Sequence, residues 1–132
     1  MANTTYDQIF TTFLSESETD NFNIPNDPVK IKDLIHTSIL HFNNRLRDEL
    51  VYDDVTETVN RELNNDELLI LAHLLRLIFL KNKLTYFTTL FQPFQKDIGL
   101  KNYSDTVRLL KEMIKEEDDY ISMLIINTWD GE

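Results

Sequence analysis

Four consecutive carboxylates, Glu116 to Asp119, form the densest group of residues that could do chemistry in this chain. They suggest cation binding, but consecutive helical side chains point about 100° apart and cannot converge on one ion. The run also lacks the glycine and the ligand spacing of a calcium-binding loop. Our first interpretation is a solvated helix face, and the alternative is an acidic patch that faces a channel or a partner.

The three histidines do not have the spacing of a metal site. His36 and His41 are five residues apart, so they do not share a helix face as an i, i+4 ligand pair would. His73 lies within an apolar segment, where we expect a core or interface histidine that is hydrogen-bonded to a neighbour rather than a ligand or general base. We therefore predict no metal site and no cofactor.

Signatures of catalysis are also missing from the sequence. Only Gly99 and Gly131 are available, so the chain cannot build a phosphate-binding glycine loop, and it has no serine nucleophile motif. Paired carboxylates occur by chance in any acidic chain and do not indicate acid–base catalysis. The sequence predicts no catalytic residue and a protein that is not an enzyme.

Helical periodicity and capping residues account for most of the chain. Segments 15–27 and 47–63 lack a clear helical period, so we interpret them as connectors, the second extended or irregular, and residues 127–132 as a frayed tail. The composition, with two Gly and three Pro, favours long helices. We predict an all-α single domain, residues 1–132, of about four helices, with an extended or irregular connector between the second and third. The predicted helix starts are Thr4 or Thr5, Asp27–Pro28, Asn64 with Glu67, and Ser104.

The third helix is apolar on nearly every side, since only His73 and Arg76 are polar between Leu68 and Leu80. Those 13 residues span about 20 Å, too little for the roughly 30 Å of a membrane. Leaving this surface in water costs roughly 25 cal/mol per Å², so we predict that sibling copies or a protein partner cover it. The candidate interface residues are Leu68, Leu71, Leu75, Phe79, Tyr86, Phe87, Phe91, Phe94 and Trp129.

Charge limits the possible partners. The chain has 23 acidic and 13 basic residues and a net charge of -10, which opposes binding to phosphate backbones and favours basic protein surfaces. The aromatic residues from Tyr86 to Tyr103 lie near several lysines and could stack on single-stranded nucleic acid. Because of the overall charge, we instead interpret them as core or subunit interface. The chain has no cysteine, and its N-terminus lacks the pattern of a secretory signal.

Four stretches resemble small acidic helical proteins that are encoded among the head and neck genes of tailed bacteriophages: TTYDQIFTTFL, IHTSILHFNNRLRDEL, LNNDELLILAHLLRLIFLKN and PFQKDIGLKNYSDTVRLLKEMIKEEDDYISMLI. The similarity spans almost the whole chain. It implies a head-to-tail connector, or neck adaptor, that forms a ring of about twelve copies beneath the portal. The implied location is the neck of the virion, after assembly in the cytoplasm of the bacterial host.

The resemblance also implies partners. These are sibling copies, the portal protein and neighbouring neck or tail proteins, while DNA passes through the channel without sequence-specific binding and no membrane is involved. In such a ring Trp129 is a candidate portal contact, and the candidate channel-facing acidic residues are Glu116, Glu117, Asp118 and Asp119. Two alternatives stay open: another tail, neck-completion or baseplate component, and a small acidic phage-encoded module that inhibits a host protein.

Overall fold

The computed structural model describes residues 3–16, 27–91 and 100–130. In these ranges the chain is mainly helical, so the predicted all-α class with four helices is confirmed. The predicted 15–27 connector lies mostly outside the described residues, although residues 15 and 16 continue the first helix. The elements are α1 (Tyr6–Glu16), α2 (Pro28–Leu46), β1 (Tyr52–Asp53), β2 (Thr58–Val59), α3 (Asn65–Phe91) and α4 (Leu100–Asp130).

Three helices begin where the capping residues predict. In α1 and α3 the capping side chain and the residue three positions later bond reciprocally to each other's backbone N–H groups. In α2 an aspartate caps the helix and proline occupies the first turn. The capping contacts are Thr5 with Gln8, Asn64 with Glu67, and Asp27 with Val29.

The last helix is longer than predicted at both ends. It begins at Leu100 rather than Ser104, because Leu100 and Lys101 are themselves good helix formers. Residues 127–130, predicted as a frayed tail, are helical as well. The preceding turn is anchored by Ile125, which is buried, and the Thr128 hydroxyl donates to the Leu124 carbonyl at 2.9 Å.

The connector between α2 and α3 is a short hairpin. Arg47 ends α2 in the left-handed conformation, with φ 57°, and its N–H donates to the Asn43 carbonyl. The strands β1 and β2 then pair antiparallel, with Tyr52 opposite Val59. An isolated bridge between Thr5 and Thr58 joins the hairpin to the start of α1. The extended or irregular connector that was predicted between the second and third helices is this hairpin.

The apolar helix α3 is the centre of the core. It packs against α1, α2 and α4, and every residue from Ile70 to Leu80 except Arg76 is buried within the chain's own fold. The prediction that sibling copies must cover this segment is wrong. The 31-residue α4 lies along α3, and Ile9, Phe13 and Phe42 from α1 and α2 join the same buried cluster, so one molecule supplies the whole enclosure.

Candidate functional site

The predicted interface residues on the first half of α3 are core residues. Leu71 and Leu75 are fully buried, Phe79 is buried, and Leu68 is partly buried against the core. Phe79 meets the ring of Phe13 edge to face, with ring centroids 6.0 Å apart. These four side chains are therefore already packed against their own chain. Their assignment as a subunit interface is corrected, because intramolecular packing supplies the burial that their apolar character requires.

The aromatic residues of the predicted interface differ in their exposure. Tyr86 is exposed, whereas Phe87 is partly buried and stacks on Tyr103 with centroids 5.4 Å apart. The stacking joins the C-terminal half of α3 to the first turns of α4. The side chains of Phe91 and Trp129, and the whole of Phe94, lie outside the described part of the structure. Among the predicted aromatic interface residues whose side chains the structure describes, only Tyr86 is exposed.

The acidic run does not form one surface. Glu117 is buried, with 5% of its area exposed, and Asp118 pairs with Arg45 of α2. Glu116 and Asp119 are exposed, and Asp119 lies 3.8 Å from Lys115. The predicted four-residue exposed patch is therefore corrected: the helix turns Glu117 towards the core, whereas the side chain of Asp118 stays 46% exposed beside Arg45.

Glu117 joins α4 to α3 through one buried bond and one partly buried bond. Its Oε1 accepts a hydrogen bond from His73 Nδ1 at 2.5 Å, and its Oε2 accepts one from Arg76 Nη1 at 2.5 Å. The ring of Tyr120 packs edge-on against His73 at 4.8 Å. The expected core histidine that bonds to a neighbour is confirmed. The cluster is structural, because each carboxylate oxygen is occupied by a cation or ring donor of the same chain.

An open groove of about 470 Å³ lies between α2 and the hairpin. Leu40, Val51 and Tyr52 contribute large exposed apolar surface to it. Sequence reasoning missed this groove, although one signal was present: Leu40 lies off the apolar stripe by which α2 faces the core. The residues that line it are His36, Thr37, Ile39, Leu40, Asn43, Leu50, Val51 and Tyr52.

A chain of polar contacts fixes the hairpin at one end of the groove. Asp54 Oδ1 accepts hydrogen bonds from the Tyr6 hydroxyl at 2.6 Å and from His36 Nε2 at 2.7 Å. The ring of Tyr52 stacks on His36, with centroids 4.0 Å apart. Burial and the bond to Asp54 raise the pKa of Tyr6 above its ordinary value. The bonds from Tyr6 and His36 lower the pKa of Asp54.

The backbone beside the groove is held by two asparagines. Asn43 accepts from the Leu50 N–H at 2.8 Å and donates to the Leu50 carbonyl at 2.9 Å. Asn60 accepts from the Val51 N–H at 3.0 Å through its side chain and donates its own N–H to the Val51 carbonyl at 2.9 Å. The backbone of Leu50 and Val51, which borders the groove just before β1, is therefore held by the chain's own hydrogen bonds.

Comparison with known proteins supplies the family. A family model described as YomZ prophage protein matches residues 1–130. The chain belongs to this YomZ prophage protein family. It is 52% identical over 124 residues to the SPbeta prophage-derived protein YomZ of Bacillus subtilis (strain 168), which covers 94% of this chain and 95% of that relative. No solved structure matches it. The predicted phage origin is confirmed.

The hairpin end of this YomZ-family protein is strongly acidic. Residues 47–67 include eight acidic and two basic residues, a net charge of -6 in a chain whose total is -10. One of the two cations, Arg61, is bonded to Asp48 at 2.6 Å and to Glu67 at 2.7 and 3.0 Å. The exposed carboxylates of this end, hereafter the acidic rim, are Glu49, Asp53, Asp54, Glu57, Glu62 and Asp66.

The titratable groups of this YomZ-family protein do not assemble a metal site in the described ranges, where no group of three or more histidines and carboxylates could hold an ion. His36 belongs to the hairpin contacts and His73 to the core. Burial, with Lys81 and Arg45 nearby, lowers the pKa of His41. Among the described residues, no helix is both long and apolar enough to cross a membrane. The described surface therefore combines an apolar groove with the acidic rim.

Proposed function

We propose that this prophage protein is a structural component of the phage particle, a head-to-tail connector whose copies form a ring beneath the portal and line the DNA channel. The prophage origin of the family supports it. So does the resemblance of the sequence to neck proteins of tailed phages. The proposal assigns the protein no catalytic residue and no cofactor.

One surface of α4 carries the proposal. Five exposed residues follow each other at alternating spacings of four and three, so they form one stripe along the outer face of the helix. Its first three members are carboxylates and its last two are apolar. The stripe consists of Glu112, Glu116, Asp119, Met123 and Ile126.

The two halves of this stripe suit the two tasks of a ring subunit. A carboxylate-lined lumen repels DNA phosphates, so DNA slides through the channel without being held. The apolar half, Met123 and Ile126, is then covered by the next copy in a head-to-tail contact whose rotation closes the ring. This contact replaces the buried face of α3, which is unavailable for it.

Native mass spectrometry with and without purified portal protein tests the proposal. We expect a ring of about twelve copies, formed alone or only on the portal, as rotational closure requires. The double variant Met123→Ser with Ile126→Ser should abolish the ring. Val55→Ser, which changes an exposed apolar side chain of the hairpin, is the matched control and should leave the ring intact. A protein that stays monomeric even with the portal would contradict the connector role.

Two other functions stay open. An acidic module that inhibits a basic host protein is favoured by the acidic rim, since it concentrates more than half of the net charge in a short segment. Such a module would be a monomer or a small dimer bound to that host protein, so native mass separates it from a ring. A different tail, neck-completion or baseplate component would assemble with a tail protein in place of the portal.

A further inference from the structure

The groove between α2 and the hairpin has no role in the proposed ring contact. We propose that it binds an extended segment of another protein, in which a large apolar side chain is flanked by lysine or arginine. The inference does not depend on ring formation, because it concerns a different surface from the stripe on α4.

The apolar wall of the groove provides the anchor. Leu40 is 67% exposed and Val51 is 58% exposed, and both line the same concavity as the exposed ring of Tyr52. Single exposed apolar residues are ordinary, whereas several that converge on one hollow mark an interaction site. The volume of about 470 Å³ accommodates several side chains of a peptide, and it lies in the range typical of binding sites.

The groove is organised in advance. The side chain of Asn43 makes two bonds to the backbone of Leu50, and Asn60 makes two bonds to Val51. At the end of the groove, the ring of Tyr52 is held against His36, which bonds in turn to Asp54. An occupant therefore does not have to order the wall that it meets, and less of its binding free energy is lost to ordering.

Charge decides the class of occupant. Asp33 lies on the same outer face of α2 as Leu40, two turns earlier, and the acidic rim brings Glu49 and Asp53 next to groove residues along the chain. Lys32 lies near Asp54 and Arg47 is also exposed, yet carboxylates outnumber these cations. A second copy of this chain, with its net charge of -10, is disfavoured electrostatically, whereas a basic segment is attracted.

A peptide titration followed by NMR tests the groove. The probe is a synthetic hexapeptide of alternating leucine and lysine, and the controls are a leucine–glutamate and a serine–lysine hexapeptide. We expect only the leucine–lysine peptide to shift the backbone signals of Leu40, Val51 and Tyr52 in a saturable way. Added salt should weaken this binding, since the rim carboxylates are exposed. Equal binding of the leucine–glutamate peptide, or no saturable shift at the groove, would overturn the proposal.

A matched pair of variants on α2 locates the contact. Leu40→Ser removes a groove side chain, and Val29→Ser removes an almost equally exposed one, at 66%, that does not line the groove. Because both side chains are exposed, we expect both variants to fold. Leu40→Ser should weaken peptide binding by about tenfold, as loss of an apolar anchor does, while Val29→Ser leaves it unchanged. Equal weakening of peptide binding by both variants would contradict the proposal. So would a dimer of the native chain that Leu40→Ser dissociates, because a second copy would then occupy the groove.

Discussion

Glu117 of α4 and His73 of α3 are joined by a buried hydrogen bond of 2.5 Å, across 44 residues of sequence. The second oxygen of the same carboxylate accepts from Arg76. These contacts set the rotation of α4 about its own axis, because they direct Glu117 inward. The same rotation leaves Glu116 and Asp119 on the outer face, so a core contact decides which carboxylates a partner or a DNA channel would meet.

Glu117→Ala should strongly destabilise the fold. It leaves Arg76 and the His73 ring without their buried acceptor, and breaking a buried ion pair on one side costs about 3–5 kcal/mol. The free energy of unfolding from urea titration measures the effect. Glu116→Ala is the control from the same acidic run, and its exposed position predicts a change within about 0.5 kcal/mol. A similar decrease in the free energy of unfolding in the two variants would show that the hydrogen bonds of Glu117 do not stabilise the fold.

The stability of the hairpin contacts should depend on pH through Asp54. Its folded pKa is lowered by the bonds from Tyr6 and His36, so it contributes stability above its ordinary value of 3.8. That contribution is lost as the pH falls through the lowered folded pKa. We therefore expect the free energy of unfolding from urea titrations to fall more in the native protein than in Asp54→Asn as the pH is lowered from neutral to strongly acidic.

Tyr6→Phe provides a second measure of the same contact. It removes one donor to Asp54, so the pH-dependent difference should shrink. Tyr6 itself does not contribute to the pH dependence of stability in this range. Its pKa is raised from 10.0, so its hydroxyl stays protonated in the folded and the unfolded state. A native protein and an Asp54→Asn variant that lose stability in parallel would rule out the assigned role of Asp54.

Arg47→Gly should stabilise the protein. Arg47 holds a left-handed conformation that costs a non-glycine residue about 1 kcal/mol or more, and glycine is the usual residue at this position of a helix end. Allowing for the greater freedom of glycine in the unfolded chain, we expect a gain of about 0.5 kcal/mol. Asn44→Gly, three residues earlier along the chain at an exposed helical position, should instead cost about 0.3 kcal/mol, since glycine is a somewhat poorer helix former than asparagine. Thermal unfolding distinguishes the opposite signs.

Charge reversal on the α4 stripe should alter DNA movement if the protein lines the channel. Glu116→Lys with Asp119→Lys places cations where phosphates pass, so DNA ejection from assembled particles should slow. Fluorescence of a DNA dye outside the capsid follows the release. Glu57→Lys with Glu62→Lys makes the same charge change on the hairpin end and should leave the rate unaltered. An unchanged rate in the α4 variant would remove these residues from the lumen.

Much of the secondary structure could be predicted because its causes are local. Asp27 followed by Pro28, and Asn64 followed by Glu67, satisfy the free N–H groups of a helix start from neighbouring residues. The start of α4 was predicted four residues late, since Ser104 has the character of a cap but the preceding residues also form helix readily.

The candidate site could be predicted only in part. The sequence marked Glu116 to Asp119 as a group, but four neighbouring carboxylates look alike until packing separates them. The groove was missed because it depends on Val51 and Tyr52, which the hairpin brings against α2, and hairpin pairing is not visible in a segment that fits both helix and strand.

The sequence by itself determined an acidic, helical chain with one thoroughly apolar helix, because composition, capping and periodicity act between residues close in the chain. Only the tertiary structure decided that Leu71 and Leu75 are covered within one molecule and that Leu40 remains exposed. The reason is that burial depends on which distant segments pack together. Apolar character alone cannot tell whether a side chain meets its own chain or a partner.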